Sequence, residues 1–301
     1  MIRARSDTRI HCEYNIAKKN KSGKQQNKKE GKMYRLLALD MDGTLLNSRK
    51  EISRATMAAL NKLVERGIAV SLCTGRGVAE LKDYEKEFAE IPYGILNSGG
   101  CVYDFRAKKP LYRKLLDDDV VLECLKAAGK VSAMPYLLTT DASVAQTEDM
   151  RDVSVFHMGI YQPMYDRVAT VVPDVEEYVR THPGDSLKLC IYHRSAETRE
   201  ITRAAISHLG MQLADAETTS LEVSPPGITK ARGLEILCEY IGIPTCETVA
   251  VGDADNDLDV LRAAGLAVAM GNANEHVKEV CDVVVSDNDH DGIVEVIDRF
   301  F

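Results

Sequence analysis

From residue 34 onward, short apolar runs alternate with stripes of helical spacing along this chain. Residues 34–39 form an apolar run that ends at Asp40, the pattern of a buried strand. Asp42-Gly43 then demands a turn. Across residues 51–66, Ile52, Met57, Leu60, Leu63 and Val64 recur on one helical face, and Gly67 follows as a stop. Residues 68–73 read as a second buried strand ending at Thr74-Gly75-Arg76, residues 78–89 as a helix, and residues 93–96 as a third strand ending at Asn97. The rhythm returns near the C-terminus. Helices are expected at 231–241, 256–264, 274–280 and 293–300, and strands at 248–251, 266–270 and 283–285. Strand–helix–strand alternation of this kind implies a parallel, doubly wound sheet with right-handed crossovers.

The middle of the chain is less regular. It reads as a helix at 118–130, strands at 135–139 and 186–193, and a helix at 195–209. The expected organisation is therefore an α/β core, Rossmann-like, from 33–115 and 220–301, with an inserted α+β domain at 116–219. Ligands of open parallel sheets collect beyond the carboxyl ends of the strands. The polar residues that follow the expected strands are Asp40, Asp42, Thr74, Asn97, Asp253 and Asn256. Residues more than 200 positions apart would thus meet at one sheet edge.

Charge sharpens this picture. The formal net charge is -8, but residues 1–32 carry ten Lys or Arg against three Asp or Glu, a net of +7, so the remainder carries -15. An acidic body argues against nucleic acid as a partner. It also requires a phosphate site to find positive charge locally, from a metal, a lysine or helix N-termini. Residues 18–32 are almost devoid of apolar side chains, and residues 1–32 are expected to be a disordered basic extension, or a stretch upstream of a start at Met33. No run of about 18 apolar residues marks a membrane span. The cysteines at 12, 73, 101, 124, 190, 238, 246 and 281 include no C-x-x-C pair, and fit reduced thiols in a cytoplasmic protein.

The candidate chemistry lies in four places. Asp40 and Asp42 are two carboxylates at i and i+2, which in extended backbone project to one side about 6–7 Å apart. One can attack a phosphorus atom while the other protonates the leaving oxygen. Gly252-Asp253-Ala254-Asp255-Asn256-Asp257 is a second acidic group. It is not a calcium loop, because Leu258 and Ala264 stand where Gly and Glu are needed. A hard-cation site shared with Asp40 remains, with Asp253 as direct ligand and Asp257 as second ligand or water-holder, while Asp255 and Asp259 read as exposed helix-start acids. Thr74-Gly75-Arg76 can hold phosphate oxygens at a strand-to-helix junction, and Glu80 stands where a dinucleotide fingerprint would need its third glycine. Lys230 opens a helix against the dipole, a rule broken for a functional reason.

Taken together, Asp40-x-Asp42-Gly43-Thr44, Thr74-Gly75-Arg76, Lys230 and Gly252-Asp253-x-x-Asn256-Asp257 resemble the four motifs of the haloacid dehalogenase superfamily. More narrowly, the chain looks like the Cof-type phosphatases with a large type-IIB cap between the second and third motifs. The resemblance implies an aspartyl-phosphate on Asp40, with Asp42 as acid and then base. It implies Mg²⁺ held by Asp40, the backbone carbonyl of Asp42, Asp253 and Asp257. Phosphate would be held by Thr74, Gly75, Lys230, Asn256 and backbone N–H groups beside Asp42, that of Met41 included, with Arg76 and Asn97 toward the cap mouth. Ala231 and Ser98 depart from the family's usual glycines. The substrate would be a small phosphorylated metabolite such as a sugar phosphate. A phosphohexomutase on the same scaffold, needing Arg151, Lys188 or Arg194 for a second phosphate, and a silent binding protein are the alternatives. Oligomeric state is left open. Removing residues 1–32 is expected to leave phosphate release unchanged; a large loss in an activity assay would show that the extension takes part.

Overall fold

The computed structural model describes residues 33–86, 91–215 and 218–301, and the expected basic extension, with Cys12, lies outside them. Two sheets organise the described residues. The larger begins with β1 (Leu36–Leu39), whose four residues are all buried. Helix α1 (Arg54–Glu65) follows, capped by the Ser53 hydroxyl on the Thr56 N–H, and buries Leu60 and Leu63. Next come β2 (Ala69–Cys73), β3 (Tyr93–Leu96) and an antiparallel edge pair, β4 (Cys101–Asp104) and β5 (Lys109–Arg113). The helix expected at 78–89 is a 3₁₀ segment over Ala79–Tyr84, and residues 87–90 fall outside the described ones.

The chain then enters the smaller sheet. Helix α2 (Asp118–Lys130) matches its expected bounds, with Asp117 as N-cap and acids in its first turn. Strands β6 (Met134–Thr139), β7 (Ser143–Gln146), β8 (Ala169–Val172) and β9 (Ser186–Tyr192) are interleaved with α3 (Gln162–Val168) and α4 (Val175–Thr181). Helix α5 (Ala196–Ile206), β10 (Gln212–Ala214) and β11 (Ser220–Ser224) complete it, in the order β10-β11-β9-β6-β7-β8. Strand β11 pairs antiparallel with β9, so this sheet continues to Ser224, and the return to the core expected at 220 falls one strand early. Leu221 and Val223 turn to one face of β11 and Ser220 and Glu222 to the other, but five residues carry too little alternation to mark a strand.

The return brings α6 (Lys230–Ile241), β12 (Thr248–Gly252), α7 (Leu258–Ala263), β13 (Leu266–Ala269), α8 (Glu275–Val280), β14 (Val283–Val284) and α9 (Gly292–Phe300). The larger sheet runs β14-β13-β12-β1-β2-β3-β4-β5, parallel from β14 to β3. Leu37 and Leu39 of β1 pack toward α1 and α9, whereas Leu36 and Ala38 pack toward α6, α7 and α8. One strand thus sits at the centre of a three-layer core, which is why it reads as an unbroken apolar run. No helix among the described residues is long and apolar enough to cross a membrane.

Leu237, fully buried between α6 and the sheet, joins the helix that carries Lys230 to β1. Leu237→Ala should cost about 2–5 kcal/mol in urea unfolding; a change below about 1 kcal/mol would show that this helix is not anchored there.

Candidate active site

Asp40 follows β1 and extends its ladder by one bond, its N–H donating to Val251 at 3.0 Å. The strand geometry stops there. The chain leaves extended geometry at Met41 and turns on through Gly43, at φ +85°, so the strand spacing expected of Asp40 and Asp42 does not apply. The two carboxylates instead point to different partners, although both line one cavity. Asp40, 6 % exposed, accepts a hydrogen bond from Lys230 Nζ at 2.7 Å. The same ammonium donates to Asp257 Oδ1 at 2.7 Å. Asp253 accepts from the Thr44 hydroxyl at 2.7 Å.

Two glycines make this convergence fit. A Cβ on Gly43 would stand 2.4 Å from Asp253 Oδ2, and one on Gly252 would stand 2.6 Å from the Asp257 carboxylate. Both approaches are closed to any larger residue. At the start of α6, the dipole disfavours Lys230. The carboxylates of Asp40 and Asp257 offset that, and Asp259 Oδ2 accepts from the Ala231 N–H at 3.1 Å. Asp259 is thereby tied to a different helix from the one it opens.

Electrostatics follow from the count of charges. Burial pushes the Asp40 carboxyl up; Lys230 pulls it down, and Asp257 and Asp253 push it up again, leaving it above the ordinary carboxylate range. Burial disfavours charge on Lys230, but Asp40 and Asp257 outweigh it and keep the amine protonated. One carboxylate oxygen from each of Asp40, Asp253 and Asp257 lies within 4.8 Å of the others. Three acids facing one ammonium are short of positive charge. Their hard oxygens are the donor type that a small divalent cation takes.

Asp42 sits in a different field. Burial alone would push it up, but hydrogen bonds from Arg76 and Lys50, with their charges, hold it down at about 2. Arg76 reaches it through Nε at 2.8 Å and Nη2 at 2.7 Å, and Lys50 Nζ at 2.8 Å. Asp42 is therefore an ionised base in this arrangement and holds no proton to give.

A cavity of about 230 Å³ lies over these groups. Thr74, Gly75, Arg76 and Asn256 line it with the two acids, as their positions after β2 and β12 suggested. Met41 adds no side chain, being buried in the core. Asn97 is buried beside Gly77 and is not part of the cavity wall, contrary to its expected place at the cap mouth; its side-chain N and O have no hydrogen-bond partner. Its neighbour Ser98 reaches the cap instead, accepting from Lys188 Nζ at 3.4 Å. The smaller sheet and α3 supply the rest of the wall, including Lys188, Glu222, Tyr161 and Tyr165. Sequence reading missed Glu222 and the buried Glu80. Glu222 and Lys188 had one available signal, each being the single charge inside a short strand.

Comparison with known proteins agrees with this architecture. Residues 37–297 match the model of the haloacid dehalogenase-like hydrolase family. A Bacillus subtilis protein, 5-amino-6-(5-phospho-D-ribitylamino)uracil phosphatase YitU, is 28% identical over 88% of this chain and 97% of its own length. A chloroplastic Arabidopsis thaliana protein named endoribonuclease YBEY is 30% identical over 92% of this chain, which spans only 49% of that longer protein. A haloacid dehalogenase-like hydrolase from Bacteroides thetaiotaomicron superposes with a TM-score of 0.79 at 28% identity, covering 89% of this chain and all of that one. With the motif residues gathered at one sheet edge under a cap, the chain belongs to the haloacid dehalogenase superfamily, as a Cof-type phosphatase.

Proposed function

We propose that the protein hydrolyses a small organic phosphomonoester, with Mg²⁺, through a phosphoryl group carried on Asp40. The observation that carries this reading is Asp40 itself, held by Lys230 beside Asp253 and Asp257 on the floor of the cavity. Lys230 fixes one oxygen of this buried carboxylate and so orients the group for attack. Asp40, Asp253, Asp257 and the Asp42 main-chain carbonyl are the groups to hold the metal. When bound, it would neutralise phosphate oxygens as charge develops.

In the first step an Asp40 oxygen bonds to phosphorus, the ester P–O bond breaks, and the leaving oxygen takes a proton from Asp42. In the second, Asp42 takes a proton from water, the water oxygen bonds to phosphorus, and the bond to Asp40 breaks. The arrangement seen here suits the second step. The first requires Arg76 and Lys50 to release Asp42, and an arriving phosphate dianion competes for both cations. Lys230 fixes Asp40 throughout, and Thr74, Gly75 and Asn256 border the space for phosphate oxygens. The relatives' names include phosphatases of phosphorylated metabolites, in keeping with a small soluble ester.

The mutase alternative finds no support in the cap. Arg151 is exposed and pairs with Glu148, Arg194 lies over the Phe156 ring outside this cavity, and Lys188 is matched by Glu222. Among the described residues that line this cavity the cations are Arg76 and Lys188, and each is already paired with a carboxylate.

A panel of phosphate esters assayed with and without Mg²⁺ should show metal-dependent phosphate release, and silence from the whole panel would reject the reading. Asp40→Asn should lower kcat by roughly 10³-fold or more with the melting curve retained; residual activity above about a tenth would count against Asp40 as nucleophile. Lys230→Met strands two buried carboxylates together and should cost about 3–5 kcal/mol. Millimolar Mg²⁺ should restore part of that loss in thermal melts, and an unchanged melt would contradict a cation site at these acids.

A further inference from the structure

The inner face of the smaller sheet forms the part of the cavity away from the phosphate loop. Along β9, Leu189 and Ile191 point into the cap core and Leu187 packs with the core of the larger sheet, while Lys188, Cys190 and Tyr192 turn to the cavity. Glu222 pairs in register with Cys190, which places it diagonal to Lys188 on the same face. Lys188 is 2 % exposed, and its Nζ stands 2.7 Å from Glu222 Oε2. It also donates to Ser98 Oγ at 3.4 Å and would lie 3.7 Å from a Cβ on Gly75. A cap ammonium therefore reaches the edge of the phosphate loop. Ser98 takes a left-handed φ of 56° to meet it, an unfavoured conformation for a residue with a side chain.

The charges on this wall are already matched. Arg76 is taken by Asp42, and Lys188 by Glu222. Glu80, buried and bordering the same space, adds a carboxyl that accepts from the Gly77 N–H at 2.7 Å. A leaving group bearing its own anion would face Glu222 and Glu80 with no unmatched cation among the described residues that line the cavity. A neutral group fares differently. The Lys188 ammonium has three protons and, among the described residues, two partners, so one N–H is left for an acceptor. Glu222 offers lone pairs to a donor. Met158, Tyr161, Met164 and Tyr165 give the remaining wall an apolar and aromatic character.

We propose that Lys188 and Glu222, braced on the core through Ser98, select phosphomonoesters whose leaving group is uncharged and presents an acceptor beside a donor, as a hydroxyl or amide edge does, and reject leaving groups that carry a second anion. This rests on the phosphomonoesterase reading above. Rejection works by unpaired charge, which discriminates more strongly than lost contact area.

The test uses two matched pairs on the full chain: glycerol 3-phosphate against 3-phosphoglycerate, and sorbitol 6-phosphate against 6-phosphogluconate. Each ester is measured as competitor of p-nitrophenyl phosphate hydrolysis, whether or not it is itself turned over. The neutral member of each pair should compete at least tenfold better. Glu222→Gln should shrink that preference at least fivefold, because it removes the charge that repels the acid and leaves the Lys188 ammonium to pair with it. A purely structural role would weaken both members alike, and that result would overturn the proposal. Equal or better competition by the acids in the wild type would overturn it too. The double variant Lys188→Gln/Glu222→Gln, which buries no charge, should lose the preference if Glu222→Gln fails to fold; a preference that persists there rejects the assignment. No turnover of p-nitrophenyl phosphate at all would reject the phosphatase reading itself, a separate outcome from turnover without discrimination.

Discussion

The structure depends on one buried ammonium. Lys230 lies between Asp40 and Asp257, 2.7 Å from each, where water cannot screen it. Burying a charge is costly unless it is paired and hydrogen-bonded. Here the pairing ties three distant parts of the chain together: the end of β1, the start of α6 and the loop after β12. Each needs the others. Without Asp40 and Asp257 the amine could not stay charged in this place, and without the amine the two acids would repel. The glycines at 43 and 252 exist to let the acids come this close. The same cluster that fixes the fold's active edge leaves a surplus of negative charge, which is the condition for taking up a cation and then a phosphate.

A second pairing sets the resting state of Asp42. Arg76 and Lys50 hold it ionised, and Arg76 also touches Met164 of the cap at 3.5 Å. Arg167 of α3 forms an ion pair with Asp83 at 2.6 Å, a further link between cap and core. Substrate entry, release of Asp42 and contact with the cap are therefore coupled through neighbouring residues of one cavity.

Much of this was legible in the sequence. The apolar runs of β1, β2, β3 and β12 are buried on both faces, so continuous hydrophobicity located them, and the polar residues after them marked the site. Helix α2 was read to the residue because Asp117 caps it and acids fill its first turn. The orientation of Asp42 was not legible. The turn that begins at Met41 and the joint hold of Arg76 and Lys50 on the carboxylate decide it, and neither can be read from local pattern. Asn97 follows a strand as expected, but the left-handed backbone at 97 and 98 turns Ser98 toward the cap instead. The edge pair β4 and β5 and the short β7 and β8 are too brief for periodicity to separate from loops. Lys188 and Glu222 each stand out as the lone charge of a strand, but their pairing was not legible, since diagonal pairing across β9 and β11 cannot be deduced from either strand alone.

The central claim is that Asp40 carries the phosphoryl group. Acid-quenched single-turnover reactions, digested and read by mass spectrometry, address it directly. One added phosphoryl group on the peptide containing Asp40, absent from the Asp40→Asn protein, is the predicted result. Phosphate release with no labelled peptide at any time point, or a label on another residue, would contradict it.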